Sequence, residues 1–189
     1  MTFRLPAVLT RSDVPEAELC AARLDGEVYR IDECFSPIDE IEDPVLRAAA
    51  LSSITPARYI AEQRTAAWVH GALRSPPAVH QFCVAAHARA KPRQRRRMIV
   101  REVEIDDSEI QPCGGITVTT PLRTVVDLAR FSPLFRIDEQ LIVTILLASK
   151  GFGIDDCRVA LNLRHNLPGK RLALRRISDA LDATALSRR

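Results

Sequence analysis

Three kinds of reactive pattern decide whether this chain can be a nuclease, a nucleotidyltransferase or a metalloprotein. Metal-dependent phosphodiester cleavage of the restriction type needs an acidic residue two positions before a lysine, one to hold Mg²⁺ and one to stabilise developing charge. The only lysines are Lys91, Lys150 and Lys170, and two positions before them stand Arg89, Ala148 and Pro168. Nucleotidyl transfer needs Gly-Ser followed by Asp-x-Asp to hold Mg²⁺; Asp106-Asp107 and Asp155-Asp156 are adjacent pairs, and no Gly-Ser occurs. Cys83 and His87 are spaced like two metal ligands on a helix, but Cys83 falls in a strand pattern with no second ligand pair nearby, so no metal is expected. Neither a phosphate-binding glycine-rich loop nor a Gly-x-Ser-x-Gly elbow is present. His70 precedes a helix-stopping glycine, where an imidazole usually caps carbonyls. These residues predict no catalytic centre and no cofactor.

What the chain does carry is charge in blocks. Residues 1–45 have a net charge of −7, residues 46–101 of +10, residues 102–139 of −5 and residues 140–189 of +5. Of the 27 basic residues, 24 are arginines, whose planar guanidinium suits bidentate contacts to phosphate or carboxylate. Two basic clusters are candidate contact surfaces for nucleic acid or an acidic protein: Arg89, Lys91, Arg93, Arg95, Arg96 and Arg97 in one run, and Lys170, Arg171, Arg175 and Arg176 on the last helix.

The elements that position these residues follow from pattern and punctuation. Ser12 or Asp13 can cap a helix running to Leu24, Gly26 stops it, and residues 27–31 form a strand leading through Asp32-Glu33 to a second at Phe35. Asp43-Pro44 opens a helix with Val45, Leu46, Ala49 and Ala50 inward, and residues 62–70 form another, closed by Gly71. Alternation at 79–85 and 98–104 predicts two paired strands joined by the first basic run. Residues 105–112 are an acidic connection. At 114–130, Gly114-Gly115 marks a tight turn, 116–118 is β-branched, Thr120 can cap the next helix and Pro121 sits at its first position. That helix carries an apolar stripe at Leu122, Val125, Val126 and Ala129, and Arg123 and Asp127 are spaced for an i, i+4 pair. Asp138 can cap a helix with Ile142, Ile145 and Leu146, and Asp155 begins another. Residues 167–181 form an amphipathic helix with Leu172, Leu174, Ile177 and Leu181 inward.

The 114–130 run resembles the signature of the AbiEi family of antitoxins, a close variant of Gly-x-x-Val-Thr-x-Pro-x-Arg-Thr-Val-Val-Asp-Leu-Ala. Thr65-Ala66-Ala67-Trp68-Val69-His70-Gly71 is similar to a second family stretch. Gly26, Val28, Arg30 and Ile31 match the family's amino-terminal winged helix, whose basic wing tip is here Asp32-Glu33-Cys34. The resemblance implies a winged helix that binds operator DNA, with Arg23 and Arg30 as its candidate contacts. It further implies a non-catalytic domain that counteracts a cognate nucleotidyltransferase toxin, directly or through the toxin's RNA target.

The expected fold class is α+β. A small winged-helix-like module at 1–38 precedes a mixed α/β antitoxin domain at 39–189, with a strand-rich centre at 79–118 and a helical end at 120–185. The longest apolar stretch, 141–148, is far short of a bilayer span. Five widely spaced cysteines without a Cys-x-x-Cys pair suit reduced thiols, so a cytoplasmic protein is expected. The expected function is antitoxin and transcriptional regulator. The alternative is a non-catalytic RNA- or protein-binding adaptor that uses the basic loop and last helix.

Overall fold

A computed structural model describes residues 5–86, 97–163 and 167–187. The chain runs α1 (Glu16–Leu24), β1 (Val28–Ile31), β2 (Cys34–Pro37), α2 (Pro44–Ser52), β3 (Ile60–Ala61), α3 (Gln63–Val69), β4 (His80–Ala85) and β5 (Met98–Val103). A 3-10 turn at Asp107–Glu109 follows, then β6 (Ile110–Cys113), β7 (Ile116–Thr119), α4 (Pro121–Phe131), α5 (Ile137–Lys150), α6 (Ile154–Asn162) and α7 (Lys170–Ser187). The fold is α+β: an antiparallel hairpin β1-β2, a five-stranded mixed sheet in the order β5-β4-β3-β7-β6, and helices grouped towards the carboxyl end.

Punctuation in the sequence places most of these elements. Asp43 caps α2 by accepting from the Leu46 amide at 2.8 Å, with Pro44 in the first turn. Thr120 caps α4 with Pro121 behind it, and Gly151, at φ +67°, ends α5. Three details differ from the pattern reading. Asp13 closes the turn before α1, accepting from the Thr10 amide and hydroxyl at 2.9 and 2.7 Å, while the helix itself starts after Pro15. The cap of α5 is made by Glu139, which accepts from the Arg136 amide at 3.2 Å, so Asp138 lies one position inside the helix start. Val45 and Leu172 point outwards, and the inner positions of α2 and α7 are held by Ala48 and Leu51 and by Ala173 and Ala180.

β4 and β5 pair as expected, but in parallel, with His80 opposite Met98 and Ala85 opposite Val103. β3 is the centre of the sheet, antiparallel to β4 and parallel to β7. The tight β6-β7 hairpin turns at Gly114-Gly115 and lies directly on α2. A Cβ on Gly114, at φ +49°, would sit 2.2 Å from the Val45 carbonyl oxygen, so only glycine allows this approach.

Burial divides into a sheet-side core, which includes Leu51, Tyr59, Trp68, Phe82 and Val118, and a helical core of α4 to α7 around Leu128, Ile142, Leu146 and Ile177. Leu9, Leu19, Val28 and Phe35 make a small cluster under α1. The hairpin's other face, Ile31 and Cys34, packs into the sheet-side core. None of the described helices is long and apolar enough to cross a membrane.

Candidate functional site

The helix α4 reads as one apolar stripe, yet it is buried on nearly every side, with Arg123, Thr124 and Asp127 enclosed along with its leucine and valines. A buried charge must be paired and hydrogen-bonded to be tolerated, and the partners come from α4 itself and from three other segments. Arg123 donates from Nε to Asp127 Oδ2 at 2.9 Å, and its Nη1 lies 2.7 Å from Glu109 Oε2 beside β6. Arg101, on β5, donates to both oxygens of Glu62 at 2.6 and 2.7 Å and to Asp127 Oδ2 at 3.2 Å. Arg130 Nη1 stands 3.6 Å from Asp127 Oδ1. Glu62, Asp127 and Glu109 are therefore balanced by Arg101, Arg123 and Arg130, and the network ties the sheet edge to the helical half.

Local structure aims these groups. Glu62 follows β3 directly, and Gln63 takes φ +48°, a conformation costing a non-glycine residue about 1 kcal/mol. The turn is held by the side chain of Gln81, whose amide nitrogen donates to Gln63 Oε1 at 3.2 Å and whose Oε1 accepts from the Arg64 backbone amide at 3.0 Å. The Phe131 ring, at the end of α4, is stacked by the Arg101 guanidinium at 4.1 Å and by that of Arg130 at 4.4 Å. Arg101 and Phe131 open into a surface cleft that Gln63, Arg64, Gln81 and Leu134 also line.

The electrostatics suit a structural clasp. Burial raises the Glu62 carboxyl above its usual range, and the two bonds from Arg101 pull it back. Burial works against the charge on Arg101, but Glu62 and Asp127 carry its pKa above the ordinary value. The Cys83 thiol beneath Glu62 is pushed up strongly by burial and then by the carboxylates, so it stays protonated and is a poor nucleophile. Cys157, in the helical core, is pushed up to about 11 by burial. Among the described residues no three His, Cys, Asp or Glu side chains are grouped to hold a metal ion.

His70 caps α3, and its Nε2 donates to the Thr119 carbonyl at 2.7 Å, fastening α3 to the end of β7. A second buried pair joins the amino-terminal hairpin to the sheet. His80 Nε2 lies 3.0 Å from Asp32 Oδ2, both side chains being 2% exposed, and Arg97 reaches Glu33 Oε1 at 3.0 Å. The acidic tip Asp32-Glu33 is thus engaged within the molecule.

The basic residues singled out in the sequence fall in three places. Arg89, Lys91, Arg93, Arg95 and Arg96 lie outside the described residues. Arg97 is exposed but committed to Glu33 and to the Ala78 carbonyl, at 3.0 Å each. On α7, Arg171 and Arg175 face solvent and Lys170 is half-buried, whereas Arg176 donates to the carbonyls of Ala129 and Ser132 at 2.9 and 3.0 Å, capping α4. Arg23 and Arg30, both exposed, line one groove together with Arg11.

Residues 59–148 match the family model of the AbiEi antitoxin C-terminal domain. The matched segment contributes to both core clusters, from Tyr59 beside β3 into the last turn of α5, with Glu62, Arg101, Glu109, Arg123, Asp127 and Arg130 all inside it. No curated protein sequence matches the chain. Among solved structures, the RV2827C protein from Mycobacterium tuberculosis is similar over 94% of this chain and 72% of its own, at 18% identity and a TM-score of 0.47.

Proposed function

We propose that this protein is the antitoxin of a toxin-antitoxin pair and that it neutralises a separately encoded nucleotidyltransferase-type toxin without catalysis, through residues 39–189. In the same reading it regulates its own operon by binding operator DNA. The observation that carries the proposal is the family match at 59–148, which coincides with the unit clasped by the buried Glu62–Arg101–Asp127–Arg123 network. A clasp of this kind gives a rigid body on which a surface can be held. The outward arginines of that body, Arg171 and Arg175, favour a partner with phosphate or carboxylate on its surface: the toxin's RNA target, an acidic face of the toxin, or operator DNA.

The test is co-expression with the adjacent open reading frame. A neighbouring gene encoding Gly-Ser followed by Asp-x-Asp, toxic alone and harmless beside this protein, is the expected result. Toxicity unrelieved by the full chain overturns the reading. If no such gene is present and the basic face binds RNA, the adaptor reading takes its place.

A further inference from the structure

The groove between α1 and the β1-β2 hairpin takes no part in the toxin neutralisation proposed for residues 39–189, and its Arg23 and Arg30 are the residues that the family resemblance would give to operator DNA. It encloses about 410 Å³, within the range of about 300–1,000 Å³ typical of small-molecule sites. Three guanidiniums line it from three separate segments: Arg11 before α1, Arg23 in its last turn and Arg30 on β1. The apolar part of its lining is formed by Phe35 and Ile54. Two carboxylates are also present, and each is already held by an arginine, Glu16 by Arg11 at 2.7 Å and Glu33 by Arg97 at 3.0 Å. That leaves Arg23 and Arg30 with no carboxylate partner among the described residues. Arg30 is oriented by its Nε, which donates to the Asp32 carbonyl at 2.8 Å, so its terminal nitrogens remain available.

We propose that this groove binds a small phosphorylated ligand, with Arg23 and Arg30 gripping the phosphate and Phe35 and Ile54 meeting a ring or other apolar portion. Paired guanidiniums match phosphate oxygens in geometry as well as charge. Size and surroundings select a small ligand over a nucleic-acid strand. Glu16, Glu18, Asp25 and Glu27 are exposed around α1, and residues 1–45 carry −7 overall, so a long polyanion is repelled where a single phosphate entering the groove is not. Cys34 in the wall is buried and its thiol is raised chiefly by burial, which makes it a poor nucleophile. This proposal stands independently of the antitoxin function.

The experiment is calorimetric titration of the full-length protein with uridine 5′-monophosphate, uridine, inorganic phosphate and a DNA duplex. Saturable binding of the monophosphate is expected, with uridine weaker by about tenfold or more, the value of one good charge-assisted contact. The double variant Arg23→Ala/Arg30→Ala should bind the monophosphate about tenfold or more weakly while keeping the wild-type unfolding midpoint, because both side chains are exposed. Inorganic phosphate that binds the wild type but not this variant also supports the site. Absence of saturable binding by either phosphate probe, or binding unaltered in the double variant, overturns the proposal. So does a duplex that displaces the monophosphate and itself depends on Arg23 and Arg30, since the groove is then a nucleic-acid contact.

Discussion

Arg123 and Asp127 stand one turn apart on α4 and pair at 2.9 Å, with 6% and 0% of their side chains exposed. Because Asp127 also receives Arg101, its removal takes a partner from two guanidiniums at once and leaves the network one positive charge in excess, with Arg101 held only by Glu62 and Arg123 only by Glu109. Asp127→Ala is expected to destabilise the fold by about 3–5 kcal/mol, as removal of one partner of a buried pair does. Arg123→Ala should fall in the same range, and the double replacement Arg123→Leu/Asp127→Leu should cost less than the two single changes added together. Urea unfolding midpoints measure this. An Arg123→Ala protein with an unaltered midpoint that nevertheless fails to protect cells would reassign Arg123 from the clasp to partner recognition.

Gly114 and Gly151 both have positive φ, but only Gly114 meets another element. An alanine methyl there lands 2.2 Å from the Val45 carbonyl and 2.7 Å from the Ala49 amide, whereas around Gly151 nothing lies within 4 Å. Gly151→Ala should cost only the conformational strain, about 1 kcal/mol, and Gly114→Ala about 3 kcal/mol or more, because the hairpin must lift off α2. Similar drops in thermal unfolding midpoint for both variants would contradict the close approach.

His70 gives the fold a pH dependence of definite sign. Burial lowers its pKa below the ordinary 6.5, and the bond to the Thr119 carbonyl restores part of that. The unfolded chain therefore binds the proton more readily than the folded one. The stabilisation is complete above 6.5 and is lost as pH falls through the depressed folded value. Between about pH 8 and pH 5 the wild-type midpoint should fall more steeply than that of His70→Gln, which keeps a donor but does not titrate. Parallel curves would show that His70 is not the group responsible.

Much of this architecture is legible in local chemistry. Glycine, proline and capping residues mark the β6-β7 turn, the start of α4 and the start of α2, because the torsions and orphan amides they satisfy are local requirements. The clasp is not legible in the same way. The spacing of Arg123 and Asp127 announces their pair, but periodicity assigns α4 a single apolar face and does not place the pair in the interior, since it cannot say that the opposite side of the helix will meet the sheet edge. A signal was present: Asp127 sits between valines and a leucine, Arg101 between valines across Glu102, and Glu62 directly after Ile60-Ala61. A charged residue embedded in apolar sequence is a candidate for a buried pair. The parallel β4-β5 pairing escapes for another reason, because strand direction is fixed by the path of the connection and not by alternation.

Nucleic-acid contacts of the described surface should come from Arg171 and Arg175 rather than from Arg176, whose guanidinium is spent on the carbonyls ending α4. If the protein binds operator DNA or RNA through α7, Arg171→Glu/Arg175→Glu should weaken binding across sequences and lower the salt slope by about one for each phosphate no longer neutralised. Arg176→Ala should lower the unfolding midpoint and leave the slope unchanged. A binding titration over a salt series separates the two. A slope sensitive only to Arg23 and Arg30 would return DNA contact to the amino-terminal module.

The amino-terminal hairpin is packed so deeply that the place where the chain is cut decides what a truncation measures. Ile31 and Cys34 lie in the core with Trp68 and Phe82, and Asp32 supplies the buried partner of His80 from a residue held at φ +51°. A chain beginning at residue 39 loses all three, leaving a cavity and an unpaired buried imidazole, and should be less stable by about 3 kcal/mol or more. A chain beginning at residue 26 keeps the hairpin and the His80 pair, and forfeits Leu9 and Leu19 from the small cluster over Val28 and Phe35. It should fold with a lowered midpoint. If neutralisation resides in residues 39–189, this shorter deletion protects cells against the adjacent toxin as well as the full chain does at equal soluble level. A folded 26–189 protein that gives no protection would show that α1 itself is required, and would move the toxin-facing surface to the module that carries Arg11, Arg23 and Arg30.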